Sequence, residues 1–337
     1  MNNINETLSF PEEIINSSSA KNKFSLDLIN IIDDEKEEAS SSSDQSLIAV
    51  DKLFSSNLPT GRPHISYSEL HDWIECNWRH KVKYIDKISY DSESIHTLYG
   101  QMIHAGVESY VSVAERIPID ADKFVKQWHE ELIPTFIDRM KVAGNQKAID
   151  DYTKSKEEFD NSIKPILEFL PVWLDKTFPD WTIYGAEIKL YENVGEREDR
   201  FFKGFIDCVI KVPKKKNKEE FEYYLLDWKS TSWGWAFEKK TNFNKQLQLI
   251  LYKHFFSKKN NIPLKDIKCG FVLLKRKPSK GDITQCCEYV NVSVGPKTET
   301  RALEYIDRMF GHLKKGLFPK NRNSCKYCMY KNTEQCT

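Results

Sequence analysis

The sequence predicts a mixed α/β fold in which a central mixed sheet is flanked by helices, a helical insertion precedes it, and a C-terminal cysteine clasp follows it. Three observations predict this. Between residues 66 and 177 apolar side chains recur at helical spacing, and from Trp181 to Lys229 the period falls to two. Beyond that, helix-like and strand-like runs alternate, and Cys76, Cys325, Cys328 and Cys336 bracket the whole stretch.

Residues 1–60 are rich in Ser, Asn, Asp and Glu and show no sustained period, so they read as a disordered leader. Two apolar islands interrupt it, Phe24 to Ile32 and Leu47 to Phe54, and either could dock on a protein partner or fold back on the domain. Ser66-Tyr67-Ser68-Glu69 has capping-box spacing ahead of a helix expected to run to about Ile88, with Cys76 riding on it. A second helix, about Thr97 to Ala114, places Gly100, His104 and Glu108 on one face. Longer amphipathic patterns follow at Asp122 to Ala143 and Asp151 to Thr177.

Three successive strands are then predicted: Trp181 to Tyr191, Phe201 to Val212 and Phe221 to Lys229. The last two are joined by the polar turn Pro213 to Glu220. Asn242 to Ser257 returns to helical spacing, Lys268 to Lys275 and Gln285 to Val294 read as strands, and Thr298 to Lys315 as a last helix. Cys208, Cys269, Cys286 and Cys287 lie in apolar strand-like runs and read as core thiols.

Composition narrows the function classes. The 50 basic and 50 acidic residues cancel, yet residues 1–60 hold 11 acidic and 4 basic side chains, so the remainder is mildly basic and compatible with a polyanion. No run approaches the roughly 18 apolar residues of a membrane span, and the start lacks a basic segment leading into an apolar one. The first arginine is Arg62, which argues against a mitochondrial presequence. An intracellular protein, with a phage or mobile-element origin compatible with the acidic leader, is expected. In a reducing compartment the cysteines read as metal ligands or buried thiols before disulfides. There is no Walker A pattern and hence no nucleotide-driven motor.

The chemistry concentrates in two strands. In Leu225-Leu226-Asp227-Trp228-Lys229 the acid and the lysine emerge on one face, and Gly204-Phe205-Ile206-Asp207-Cys208 sets a second carboxylate in an apolar segment. Two neighbouring carboxylates favour a hard cation such as Mg²⁺ or Mn²⁺ between them, suited to phosphodiester hydrolysis. A sheet-edge ion pair, with Asp207 capping a turn, is the alternative.

Together these residues resemble the RecB-like nucleases of the PD-(D/E)XK superfamily, which include the AddB nuclease domain and the nucleases of CRISPR adaptation. Five segments match in order: Gly100-x3-His104, Glu187, Gly204-x2-Asp207, Asp227-Trp228-Lys229 and Gln248-x3-Tyr252. The resemblance implies a restriction-endonuclease-like core over residues 61–337, with a helical part at 66–177, a catalytic core at 178–315 and the clasp at 316–337. It implies metal ligation by His104, Asp207, Asp227 and the Trp228 carbonyl, with Lys229 as catalytic lysine. Gln248 and Tyr252 share a helix face that could line the site, whereas Gln246 points elsewhere. Glu187 could orient the site or be solvated.

Cys325-x2-Cys328, Cys336 and Cys76 supply four thiolates, as in the iron-sulfur members of that family, which implies a [4Fe-4S] cluster. Seven residues separate the last two cysteines where five is more familiar, which keeps Zn²⁺ open. Trp233, Trp235, Lys239, Lys240, Lys275 and Arg276 interleave aromatics with cations, as in DNA-binding surfaces, or else form a partly buried aromatic loop with a basic rim. The expected activity is a DNA exonuclease on single strands or duplex ends, in replication, recombination or repair. The alternatives are a structure-selective endonuclease and a nonenzymatic DNA-binding scaffold.

Overall fold

A computed structural model of the chain describes residues 59–90, 94–112, 116–195 and 200–337, with the side chain of Tyr327 excluded. The leader through residue 58, with both apolar islands, lies outside them.

The described elements open with a short strand that periodicity did not reveal, β1 (His64–Ser66), which pairs in parallel with the start of β3 (Phe201–Pro213). Three residues are too few to display alternation. Ser66 then caps α1 (Tyr67–Glu75), its hydroxyl accepting from the Glu69 amide at 3.2 Å. The expected continuous helix stops at Glu75. Cys76 is extended (φ −162°, ψ 114°) and separates α1 from α2 (Asn77–His80), which winds on through a π-helical turn, Lys81–Ile85. The break is held from outside, because the Asn321 side chain donates to the Glu75 carbonyl at 2.8 Å and the Asn321 amide donates to Cys76 Sγ at 3.3 Å. Cys76 therefore faces the C-terminal segment from a break rather than riding on a helix.

The helical insertion comprises α3 (Ile95–Val111), α4 (Ala121–Gln127), α5 (Ile133–Val142) and the 32-residue α6 (Gln146–Thr177). A Cβ at Gly106 would stand 2.7 Å from Leu167 Cδ2, so this glycine permits the close approach of α3 to α6. Pro165 and Pro171 lie inside α6, each lacking the N–H that a helix interior uses.

The sheet follows the expected meander: β2 (Thr182–Asn193), β3 and β4 (Phe221–Thr231) are antiparallel in succession. The short α7 (Phe237–Lys240) and the crossover helix α8 (Phe243–Asn260) then return the chain to β5 (Ile267–Lys275), parallel to β4. The edge strand β6 (Cys287–Asn291) is shorter than expected, since Ile283–Gln285 forms a 3₁₀ turn and Val292 lies beyond the strand. Helix α9 (Pro296–Lys315) starts on a proline and ends at the left-handed Gly316 (φ +63°).

The main core lies between the sheet and α1, α8 and α9, with Phe202, Ile206, Leu225, Leu251, Phe255, Phe271 and Phe310 all buried. Helices α3 and α6 cover the other face. Cys208, Cys269, Cys286 and Cys287 are buried, as expected of core thiols. Among the described residues no helix is long and apolar enough to cross a membrane.

Candidate active site

Alternation along β4 carries Leu225 into the core and brings Asp227 next in line on the same face, 1 % exposed, with Lys229 following it outward. The Lys229 ammonium lies 2.6 Å from Asp227 Oδ2, yet both Asp227 oxygens are buried with no aligned hydrogen-bond donor. Burial raises the Asp227 carboxyl to about 6, and nearby Asp207 adds to this while Lys229 opposes it. Burial works against the Lys229 ammonium, but Asp227 and Asp207 outweigh it and hold its pKa above the usual lysine value.

Asp207 reaches the same point from β3. Its Oδ2 accepts the Trp228 amide at 2.9 Å, and burial raises its pKa while Lys229 and that amide restrain the rise. His104 on α3 closes the group from the opposite side of the sheet: its Nε2 donates to the Trp228 carbonyl at 2.8 Å, and Nδ1 stands 3.9 Å from Asp207 Oδ2. Burial, then Lys229, depresses the His104 pKa and keeps the ring neutral, with a lone pair on Nδ1 toward Asp207. The Trp228 backbone is thus held on both sides, its N–H by Asp207 and its C=O by His104.

Glu187 joins the acids through a distortion. It sits between the ladder pairs Ala186–Cys208 and Ile188–Ile206, opposite Asp207, with a left-handed backbone (φ +47°). Such a conformation is costly for a non-glycine residue and tends to collect at functional sites. Burial, then Asp207, Glu108 and Asp227, pushes its carboxyl up to about 7. Glu108 on α3, one helical turn beyond His104 and with its own pKa raised by burial, adds its charge to this acidic group.

On the α8 side, Gln248 donates to the Tyr252 hydroxyl at 3.2 Å, and burial raises the Tyr252 pKa. The neighbouring Gln246 instead donates to the Lys240 carbonyl, away from the site. Gly204 in β3 explains its place in the sequence pattern: a Cβ there would lie 2.6 Å from Tyr252 Cε1. Gly204→Ala is expected to displace the Tyr252 ring and destabilise the fold by about 1–3 kcal/mol. A lowered denaturant midpoint checks this, and an unchanged midpoint would refute it. Tyr67 was not anticipated: its hydroxyl donates to the Asn244 carbonyl at 3.0 Å, and burial, then Asp227, raises its pKa. Its position at the first turn of α1 carried no period that would have marked it.

The residue set fits a hard divalent ion: the buried oxygens of Asp227, of which only Oδ2 meets a charge, the Asp207 carboxylate, a neutral imidazole and a carbonyl. As the side chains stand, no three His, Cys, Asp or Glu among the described residues are grouped closely enough to hold an ion. Lys229 lies against Asp227 and His104 is bonded to the carbonyl, so ligation requires these contacts to loosen.

The cysteines Cys76, Cys325, Cys328 and Cys336 line one cavity of about 10 Å³, roofed by Trp78 and Tyr330. As the side chains stand, no three of these thiols are grouped closely enough to hold a metal, so either centre requires them to move.

The proposed DNA contacts divide. Trp233 and Phe237 are 72 % and 74 % exposed. Lys239 lies over the Trp235 ring, 4.5 Å from its centroid, and Trp235 itself packs on Phe271. Lys240 and Lys275 are paired with Glu288. Arg276 departs from the expectation of a free surface cation. It is buried, bonded to Glu158 and Ser232 at 2.7 Å each, with Tyr99 and Phe159 beside its guanidinium.

A search of curated proteins finds no match by sequence. Among solved structures, a protein of Eubacterium rectale provisionally named an exonuclease is similar at TM-score 0.41 and 10% identity, over 87% of this chain and 94% of that one. The family model of the PD-(D/E)XK nuclease superfamily, whose members generally use divalent metals such as Mg²⁺ or Mn²⁺, matches residues 64–333. With its mixed sheet, its acids on β3 and β4 and its lysine two residues beyond the second acid, the chain belongs to the PD-(D/E)XK nuclease superfamily.

Proposed function

We propose that the protein is a Mg²⁺- or Mn²⁺-dependent DNA exonuclease acting on single strands or DNA ends, in replication, recombination or repair. The observation that carries this reading is the convergence of Asp207, Asp227 and Lys229 about the Trp228 peptide, with both Asp227 oxygens buried and lacking an aligned donor. His104, Asp207, Asp227 and the Trp228 carbonyl would hold the ion. When bound, the ion supplies positive charge to the phosphoryl group and lowers the pKa of water.

The chain's own residues do the rest. Lys229, freed from Asp227, positions the attacking water and steadies charge on the non-bridging oxygens. Gln248 and Tyr252 offer donors to the phosphate from the α8 side. Glu187 and Glu108 border the site with negative charge and help fix the orientation of Asp207. Trp233, Phe237 and Lys239 present exposed rings and charge to unpaired bases and backbone.

The deciding experiment incubates the protein with linear and with circular single-stranded DNA, in Mg²⁺ and in chelator. Degradation of the linear form alone, abolished by chelation, is expected. Cutting of closed circles would establish an endonuclease instead, and no cutting of either would favour a scaffold that only binds DNA.

The four cysteines are proposed as a structural metal centre. Resemblance to the iron-sulfur subgroup favours a [4Fe-4S] cluster, and the seven-residue spacing between Cys328 and Cys336 keeps Zn²⁺ open. Protein purified without oxygen should be brown and carry iron with acid-labile sulfide in the first case, or be colourless with one zinc in the second. Cys328→Ser should lower metal content and thermal stability together; unchanged metal and melting temperature would rule the centre out.

A further inference from the structure

We infer that the cavity where β4 and β5 end is a second site, which binds one unstacked nucleotide of the DNA strand being cut. The inference rests on the nuclease reading above and names what lies beside its catalytic centre. The cavity measures about 560 Å³, a size suited to a nucleotide. It lies where β4, having carried Asp227 and Lys229, runs out through Thr231 toward Trp233, and where its parallel neighbour β5 reaches Lys275. Ligands of open α/β sheets gather at such carboxyl ends.

The lining has the chemistry of a nucleotide. Trp233 offers a largely exposed indole face, with Lys277 Nζ 5.3 Å from its ring centroid. Among the described residues four cations line the space and no acid does. Three of the four have acidic partners: Lys275 pairs with Glu288, and Arg276 and Lys277 pair with Glu158. Lys280 has no ion-pair partner among the described residues. Arg276, fixed by its bonds and flanking rings, serves as a rigid wall, and Ile166 and Ile283 supply apolar surface.

The helix on the opposite wall supplies polar groups for a base edge. Pro165 has no N–H to give the Asn161 carbonyl four residues earlier, and Asn161, which lines the cavity, also carries an amide that both donates and accepts. A base stacked on Trp233, with its edge at Asn161 and its phosphate at Lys280, uses each feature once.

The test measures binding of full-length protein to a short oligothymidylate in chelator, where cleavage is suppressed, with a single abasic nucleotide walked along the strand. Affinity is expected to fall about tenfold at one position and little elsewhere, in line with the loss of one base–aromatic stack. Trp233→Ala should lose about the same tenfold on intact strand and become indifferent to the abasic position, while Trp233→Phe should keep most of the effect. Competition by free thymidine monophosphate at millimolar concentration would show that the site also takes a lone nucleotide. A flat abasic profile, or Trp233→Ala binding as wild type does, would overturn the site. Cleavage in Mg²⁺ is read separately with the wild-type protein. A position-specific profile without cleavage would remove the nuclease reading and leave the nucleotide site, and cleavage with a flat profile would do the reverse.

Discussion

Asp227→Asn is expected to abolish metal-dependent cleavage, by at least about a thousandfold, and at the same time to raise the melting temperature of the protein measured in chelator. The first effect follows from removing the buried carboxylate proposed to hold the ion. The second follows from the cost of that carboxylate. Its pKa is raised from 3.8 to about 6, so the folded protein takes up this proton more readily than the unfolded chain. The contribution to stability is therefore unfavourable above the folded pKa and vanishes as pH falls below 4. Lys229, whose ammonium Asp227 supports against burial, offsets part of this difference. Asparagine keeps the shape and lacks the charge.

The wild-type and variant melting curves should thus differ by several degrees at pH 7.5 and converge as pH is lowered through 6 toward 4. Added Mg²⁺ should reverse their order by stabilising the wild type and leaving the variant unchanged. Calorimetry with and without chelator checks both. A variant that melts below wild type in chelator would show that the carboxylate is satisfied by partners rather than strained.

Lys229→Met is expected to lower kcat by about 10²–10³ while preserving the thermal response to Mg²⁺, because the ammonium acts on the reacting phosphate and the oxygens of Asp227 remain. A further signature separates this from general damage. Lys229 restrains the rise of the Asp227 pKa, so its removal should move the acid limb of the residual rate profile to higher pH. Single-turnover rates across pH 5–9 provide the measurement. Loss of the Mg²⁺ response together with activity would place Lys229 in ion binding or folding instead.

The strands were legible as short apolar runs bounded by turn signals, with a period of two clearest in β2, whereas β5 is buried on both faces and writes none. The pairing of Asp227 with Lys229 followed from that period directly. Asp207 shows where the rule stops. Phe202, Ile206 and Val209 all enter the main core, so alternation slips as β3 passes Asp207, opposite the left-handed Glu187. Counting by twos could not say which way either carboxylate faced. The break at Cys76 was hidden for a different reason: Asn321, distant in sequence, imposes it, and local propensity carries no record of such a partner. Arg276 reads as a surface cation from its Lys-Arg-Lys setting, and its burial depends on Glu158 in α6 and rings in α3 and α6.

The contacts between the first helices and the chain beyond α9 set an order of events during synthesis. Trp78 Nε1 donates to the Gln335 carbonyl and Tyr330 donates to the Ile88 carbonyl, each at about the same reach as Asn321 to Cys76, 245 residues apart. A nascent chain released before residue 321 would leave the break at Cys76 unsupported and the Trp78 indole without its acceptor. A stop at residue 320 is therefore expected to lower the melting temperature although every side chain proposed for catalysis precedes it.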